Sequence, residues 1–247
     1  MHKRRLPIFI AVLSVLAMLL ALFQLFQPLA PLAITNTQVG GIPLSVYAPR
    51  ESRTGPVIVI AHGFAGSRQL MGQFAVSLAR AGYTTLAFDF PGHGQNTTPL
   101  GGDMLDQARR GQQLAAALDV IVAEARGRGN GQVGLLGHSM GSNAVTSYAQ
   151  ADLRIAATVA VSLGSEDVTL SRPRNLLVLT GALEAGLHPT AQGIIDQAAG
   201  GVGTLAVTYG SFEEGTARRA VFPAAVEHIG VLFSPTSLDE SVRWFDA

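Results

Sequence analysis

The chain has 247 residues with 17 basic and 17 acidic side chains, 48% hydrophobic content and no cysteine. That length suits one large domain, or one domain with a short appendage, and the apolar content predicts a sizeable core. A net charge of zero argues against a nucleic-acid partner, and the missing thiols exclude disulfides, thiolate metal sites and cysteine nucleophiles.

Charge is uneven along the chain. Lys3, Arg4 and Arg5 open it, and no acidic residue occurs before Glu51. Between them, Leu6 to Phe26 is apolar except for Ser14 and Gln24. As a helix these residues would span roughly 31 Å, close to the ~30 Å hydrocarbon core of a bilayer. A cleavable secretory signal has a shorter apolar region and a small-x-small site. The nearest such sites here, ending at Ala30 or Ala33, put Pro28 or Pro31 at the critical position. The reading is an uncleaved membrane anchor over residues 1–34, with secretion after cleavage as the alternative. The basic N-terminal flank predicts a cytoplasmic N-terminus and an extracytoplasmic domain over 35–247.

Ile34 to Gly41 reads as a spacer merging into a first strand, and Pro43 to Tyr47 as a second. Val57–Ala61 is wholly apolar, as a strand buried on both faces requires. A helix is predicted over Arg68–Ala81, a strand over Tyr83–Phe88 and a long amphipathic helix over Asp103–Arg126. The apolar run at Val133 leads into Gly137-His138-Ser139-Met140-Gly141, then a helix from Ser142 to about Ala149. Strands follow at Ile155–Ser162 and Asn175–Thr180, then a helix over Thr190–Ala199 and a last strand over Thr204–Thr208. Ser234-Pro235 starts a C-terminal helix, with Ser234 as its N-cap. Alternating strands and helices predict a three-layer α/β/α fold with a mainly parallel sheet. The stretch between Ser162 and Asn175 has room only for a loop, so no substrate-covering cap is expected there.

Gly-x-Ser-x-Gly between a strand and a helix forces a tight bend that lifts the Ser139 hydroxyl clear of the sheet. A hydroxyl becomes a nucleophile when a histidine takes its proton and a carboxylate orients that histidine. Of the histidines, His2 lies on the far side of the anchor. His138 sits inside the bend, pointing away from the hydroxyl. His62 and His93 are read as loop organisers, and His188 lies too close to the candidate acid to face it. His228, between the last strand and the final helix, is the candidate base. Glu184, three residues after the strand ending at Gly181, is the favoured acid, with Glu166 and Asp167 as rivals. The oxyanion donors are expected to be the N–H groups of Met140, following the nucleophile, and Phe64, whose ring would line the pocket.

The His62-Gly63-Phe64 loop, the Asp89-Phe90-Pro91-Gly92-His93-Gly94 turn, the Gly137–Gly141 bend, Glu184 and His228 together resemble the α/β-hydrolase superfamily, in its chain order and over about residues 35–247. The resemblance implies an eight-stranded, mostly parallel sheet with strand two antiparallel and an acid after strand seven. It also implies an acyl-transferring serine enzyme that needs no metal or organic cofactor. Three features depart from the pattern: glutamate stands where aspartate is commoner, a cap is missing, and the chain stops at Asp246-Ala247, as a piece of a longer protein could. The expected activity is hydrolysis of carboxylic esters, including lipidic ones. Peptidase, thioesterase and acyltransferase chemistry on the same residues, or a silent membrane-anchored binding module, are the alternatives. Oligomeric state is left open.

Overall fold

The computed structural model describes residues 5–51, 54–101, 106–164 and 167–247. A helix, α1 (Arg5–Phe26), leads through a 3-10 turn (Gln27–Leu29) into strand β1 (Leu32–Val39). The chain continues as β2 (Ile42–Pro49), β3 (Val57–Ala61), α2 (Gly72–Arg80), β4 (Thr84–Phe88), α3 (Gln107–Arg128), β5 (Val133–His138) and α4 (Met140–Ala151). It ends as β6 (Ile155–Val161), β7 (Leu176–Leu179), α5 (His188–Ala199), β8 (Arg218–Val221) and α6 (Pro235–Asp246). The eight strands form one sheet in the order β1-β2-β4-β3-β5-β6-β7-β8. Only the β1–β2 and β2–β4 pairs are antiparallel.

Side chains alternate across this sheet, so each strand feeds two cores. Leu135 of β5 points towards Leu118, Ile121 and Val122 of α3 and Val145 of α4. Its neighbour Leu136 points to the other face, with Phe74 and Leu78 of α2 and Trp244 of α6. Ile194 and Ile195 of α5 pack on Leu176, Val178 and Ala220. By contrast, the apolar side chains of α1 stay exposed, and Leu6–Leu29 is long and apolar enough to cross a bilayer with none of it buried.

The expected last strand at Thr204–Thr208 is not a strand. Ala206 adopts φ +59°, which breaks extended pairing; its N–H donates to Ala220 O at 2.8 Å, and an isolated bridge joins the following Tyr209 to Arg218. The eighth strand is Arg218–Val221, whose two arginines hide it from an apolar-run search. Arg218 is 1% exposed because its guanidinium donates to the carbonyls of Ala217, Thr169 and Pro173. Burial lowers its pKa to about 10. Arg219 is held instead by a two-pronged contact with Glu240 of α6.

Other bounds shift for identifiable reasons. β1 starts at Leu32, so the expected division at residues 34 and 35 falls inside a strand. α2 starts at Gly72 and not Arg68, because Arg68 is withdrawn into a buried ion pair with Asp89. α3 starts at Gln107, capped by the Asp106 carboxylate on the Arg109 N–H; the expected start at Asp103 lies outside the described residues. α4 and α5 begin two residues earlier than expected.

Asp89 accepts hydrogen bonds from the Arg68 N–H at 2.7 Å and the Gln95 N–H at 2.9 Å besides pairing with the Arg68 guanidinium. It thus ties the loop after β3 to the turn after β4. Removing one member of a buried pair leaves the other charge uncompensated, at a cost of about 3–5 kcal/mol. Asp89→Ala should lower unfolding stability by about that amount in a denaturant titration of the full chain in detergent; a change near zero would show the pair to be dispensable.

Candidate active site

β5 meets α4 at Ser139, whose backbone sits at φ +53°, ψ −119°. A residue with a side chain is held there only where its surroundings over-determine it. Any Cβ on Gly137 would collide with the Gly141 carbonyl, and one on Gly141 would meet the carbonyls of Ala61 and His62. The bend is therefore packed backbone against backbone, which only glycine at both flanks allows. The Ser139 N–H donates to Val161 O at 2.9 Å, and its carbonyl accepts from Ser142 and Asn143 at the start of α4.

Three of the expected residues meet. Ser139 Oγ lies 2.9 Å from His228 Nε2, and His228 Nδ1 lies 2.5 Å from Glu184 Oε1. In the arrangement these contacts favour, Nδ1–H donates to the carboxylate and Nε2 accepts from the hydroxyl. The second Glu184 oxygen accepts from the Gly181 N–H and from Ser162 Oγ, both at 2.7 Å. Glu184 is buried while the His228 side chain is 44% exposed, so the imidazole faces an open cleft. A shallow depression of about 690 Å³ lies on its Glu184 side, lined by Leu183, Glu184, Gly186, Leu187, Glu227 and His228 but not by Ser139. Of the rivals for the acid, Asp167 is exposed and Glu166 lies outside the described residues.

Two side chains fix the loop that carries His228. Glu227 accepts from the N–H groups of Ile229 at 2.8 Å and Gly230 at 2.7 Å, which lowers its own pKa. His138, from inside the bend, donates from Nε2–H to the His228 carbonyl at 2.9 Å. Its other nitrogen, Nδ1, is buried without a partner, and burial lowers the His138 pKa to about 4. Among the described residues, the remaining histidines make local contacts. His62 donates to Gly63 O and accepts from Phe90 N, His93 contacts Pro91 O, and His188 contacts Gly181 O and stacks on Phe222.

The loop after β3 closes over the bend. A Cβ at Gly63 would come within 2.8 Å of the buried His138 Nδ1 and 3.1 Å of Ser139 Cβ, so any side chain there would displace the bend. Met140 follows Ser139 in the chain, and Phe64 follows Gly63 in the loop packed against it. Among the described residues, neither backbone N–H donates to a backbone carbonyl. The Phe64 ring is exposed and meets His93 edge-on. Also among the described residues, no group of three or more metal-ligating side chains is present.

Sequence reasoning missed Ser162, Glu227 and the contact made by His138. Only their positions at the ends of β6 and β5, or beside the base, could have flagged them.

The family model for the alpha/beta hydrolase fold matches residues 56–180, just over half the chain. The chain belongs to the α/β-hydrolase family. The bis(hydroxyethyl) terephthalate hydrolase of Streptomyces coelicolor is 28% identical over 153 residues, covering 60% of this chain and 46% of that one. The chain spans about half the length of the curated relatives it matches. Among solved structures, XC6422 of Xanthomonas campestris, a serine hydrolase without a lid, superposes with TM-score 0.59 at 15% identity over 87% of this chain and 95% of that one. A bacterial membrane phospholipase A superposes with TM-score 0.59 at 14% identity over 96% and 97%. At these identities the structural likenesses establish the α/β-hydrolase fold.

His138 gives this family member a pH dependence with a defined sign. The fold prefers the neutral ring, so its contribution is complete above the ordinary histidine pKa of 6.5. It is lost as pH falls from there to about 4. A depression of that size corresponds to about 3 kcal/mol. Unfolding titrations at pH 7.0 and 4.5 should show a stability loss that His138→Gln, which keeps an N–H donor but does not titrate, reduces by about 2–3 kcal/mol; an unchanged slope would refute the assignment.

Proposed function

We propose that this α/β hydrolase is a membrane-anchored serine hydrolase of carboxylic esters. Ser139 is its nucleophile, His228 its base and Glu184 its acid. The observation that carries the reading is the continuous path from Ser139 Oγ through both ring nitrogens of His228 to a buried, doubly held carboxylate. Ser139 Oγ attacks the ester carbonyl carbon as its proton passes to His228 Nε2. The tetrahedral oxyanion is held by the N–H groups of Phe64 and Met140, donors of a kind that contribute several kcal/mol to lowering such barriers. Collapse expels the alcohol, which takes the proton from His228. Water then gives a proton to His228 and attacks the acyl carbon; the carboxylic acid departs and Ser139 recovers its proton.

The name of the Streptomyces coelicolor relative, a terephthalate ester hydrolase, supports an ester substrate. The exposed apolar helix α1 and its basic N-terminal flank support retention in a membrane, with residues from Leu32 onward on the extracytoplasmic side.

Ser139→Ala should lower kcat on short p-nitrophenyl esters by ~10⁶ and abolish labelling by a fluorophosphonate. Unaltered turnover would sink the proposal. Ser162→Ala removes one donor to a carboxylate, a bond of about 1.5–3 kcal/mol. It should lower kcat about 10- to 100-fold with KM little changed; an unchanged kcat would show the contact to be dispensable.

A further inference from the structure

The sheet fixes where the anchor leaves the domain. β1 is antiparallel to β2, and β2 is antiparallel to β4, so β1 runs in the same direction as β3 to β8. Ser139 lies at the C-terminal edge of that sheet, and Leu32, the first residue of β1, lies at the opposite edge. The register measures the separation. Leu32 is level with Pro49; two residues away along β2, Tyr47 is level with Thr85, Ile58 and Gly134. Ser139 is five residues further along β5. Leu32 and Ser139 are thus at opposite ends of the ladder, seven residues apart in register, on strands that the sheet's twist turns by roughly 20–25° per pairing.

The joint is short and held. The 3-10 turn after α1 packs against α2. Arg50 then secures the next two residues: its N–H donates to Pro31 O at 2.9 Å, and its guanidinium Nε donates to Ala30 O at 2.9 Å. A five-residue joint held in this way limits how far the domain can turn its mouth back to the membrane. That mouth is nonetheless apolar. Phe64, Leu183 and Ile229, next in sequence to Gly63, Glu184 and His228, are 60%, 67% and 45% exposed. Exposed apolar side chains on the loops that carry the site suit a substrate with an apolar group.

We infer that the anchored protein acts on esters that reach it from the aqueous side, water-borne molecules with an apolar acyl or aryl group, and not on lipids of the bilayer that holds it. The inference rests on the anchored-esterase reading above and adds the direction from which the substrate comes.

The test uses the full chain in phosphatidylcholine vesicles and, separately, in detergent micelles. It compares 4-methylumbelliferyl butyrate with an umbelliferyl butyrate tethered directly to a double-chain lipid. The soluble ester should be cleaved with kcat/KM equal within about 2-fold in both settings. The tethered ester should be cleaved in micelles but at least 10-fold more slowly when confined to the host bilayer. Inserting twenty Gly/Ser residues between Phe26 and Gln27 should raise the bilayer rate at least 5-fold and leave the soluble ester unaffected. A tethered ester cut equally well, or resisted equally, in bilayer and micelle would overturn the proposal, as would an insertion without effect. So would a mature protein whose mass lacks the residues before Leu32. Failure of the soluble ester in every setting, with Ser139 unlabelled by a fluorophosphonate, would overturn the hydrolase reading itself, and this inference with it.

Discussion

A positive φ at Ser139 is the constraint on which the rest of the site depends. A side-chain-bearing residue in that region costs of order 1–3 kcal/mol, so it persists only where neighbours enforce it. Here they are backbone atoms: Gly137 against Gly141, Gly141 against the end of β3, and the Ser139 N–H fixed to Val161 of β6. Three adjacent strands thus hold one residue. Because β3, β5 and β6 are parallel and buried on both faces, their carboxyl ends cannot separate without opening two cores. The strain is stored by the sheet as a whole and not by the bend alone.

Around that fixed point the loops are joined by polar contacts over long sequence distances. His228 is reached from Ser139 and Glu184 through its ring, from His138 through its carbonyl, and from Glu227 through the amides that follow it. Glu184 is in turn fixed by Ser162, itself at φ +53° at the end of β6. Each loop is an excursion from a strand end, so its mobility is limited by the stiffness of the sheet plus one or two hydrogen bonds. This arrangement keeps an imidazole that is nearly half exposed aligned with a hydroxyl it must meet.

Much of this was legible in the chain. β3 and β7 are short, wholly apolar runs and β5 is apolar up to His138; their length and flanking turn residues favour buried strands over buried helix. The Gly-x-Ser-x-Gly bend was legible because glycine spacing there is dictated by backbone contact. Glu184 and His228 followed from their positions after strand ends. β8 was not legible, because its burial depends on Arg218 finding three carbonyls that no local pattern reveals. The start of α2 was hidden in the same way: Arg68 fits a helix in isolation, but the Asp89 carboxylate across the sheet draws it elsewhere. Ser162 was invisible as a partner of Glu184, since a serine ending a strand carries no mark of what its hydroxyl faces. In each case a tertiary polar contact outweighed local propensity.

Chain direction adds a further consequence of the same sheet. Parallel strands send all their carboxyl ends to one edge, and loops there can converge on one reacting centre. The first strand must then enter from the opposite edge unless it runs against the others, and β1, separated from the parallel set by the single antiparallel strand β2, does not. A helix joined closely to β1 therefore enters the domain at the sheet edge opposite Ser139. A cap cannot alter this, because caps grow from the carboxyl edge; a long hinge or a reversed β1 could. In this chain the joint is five residues held by Arg50, so the edge at which α1 enters the domain follows from strand order rather than from any contact α1 makes.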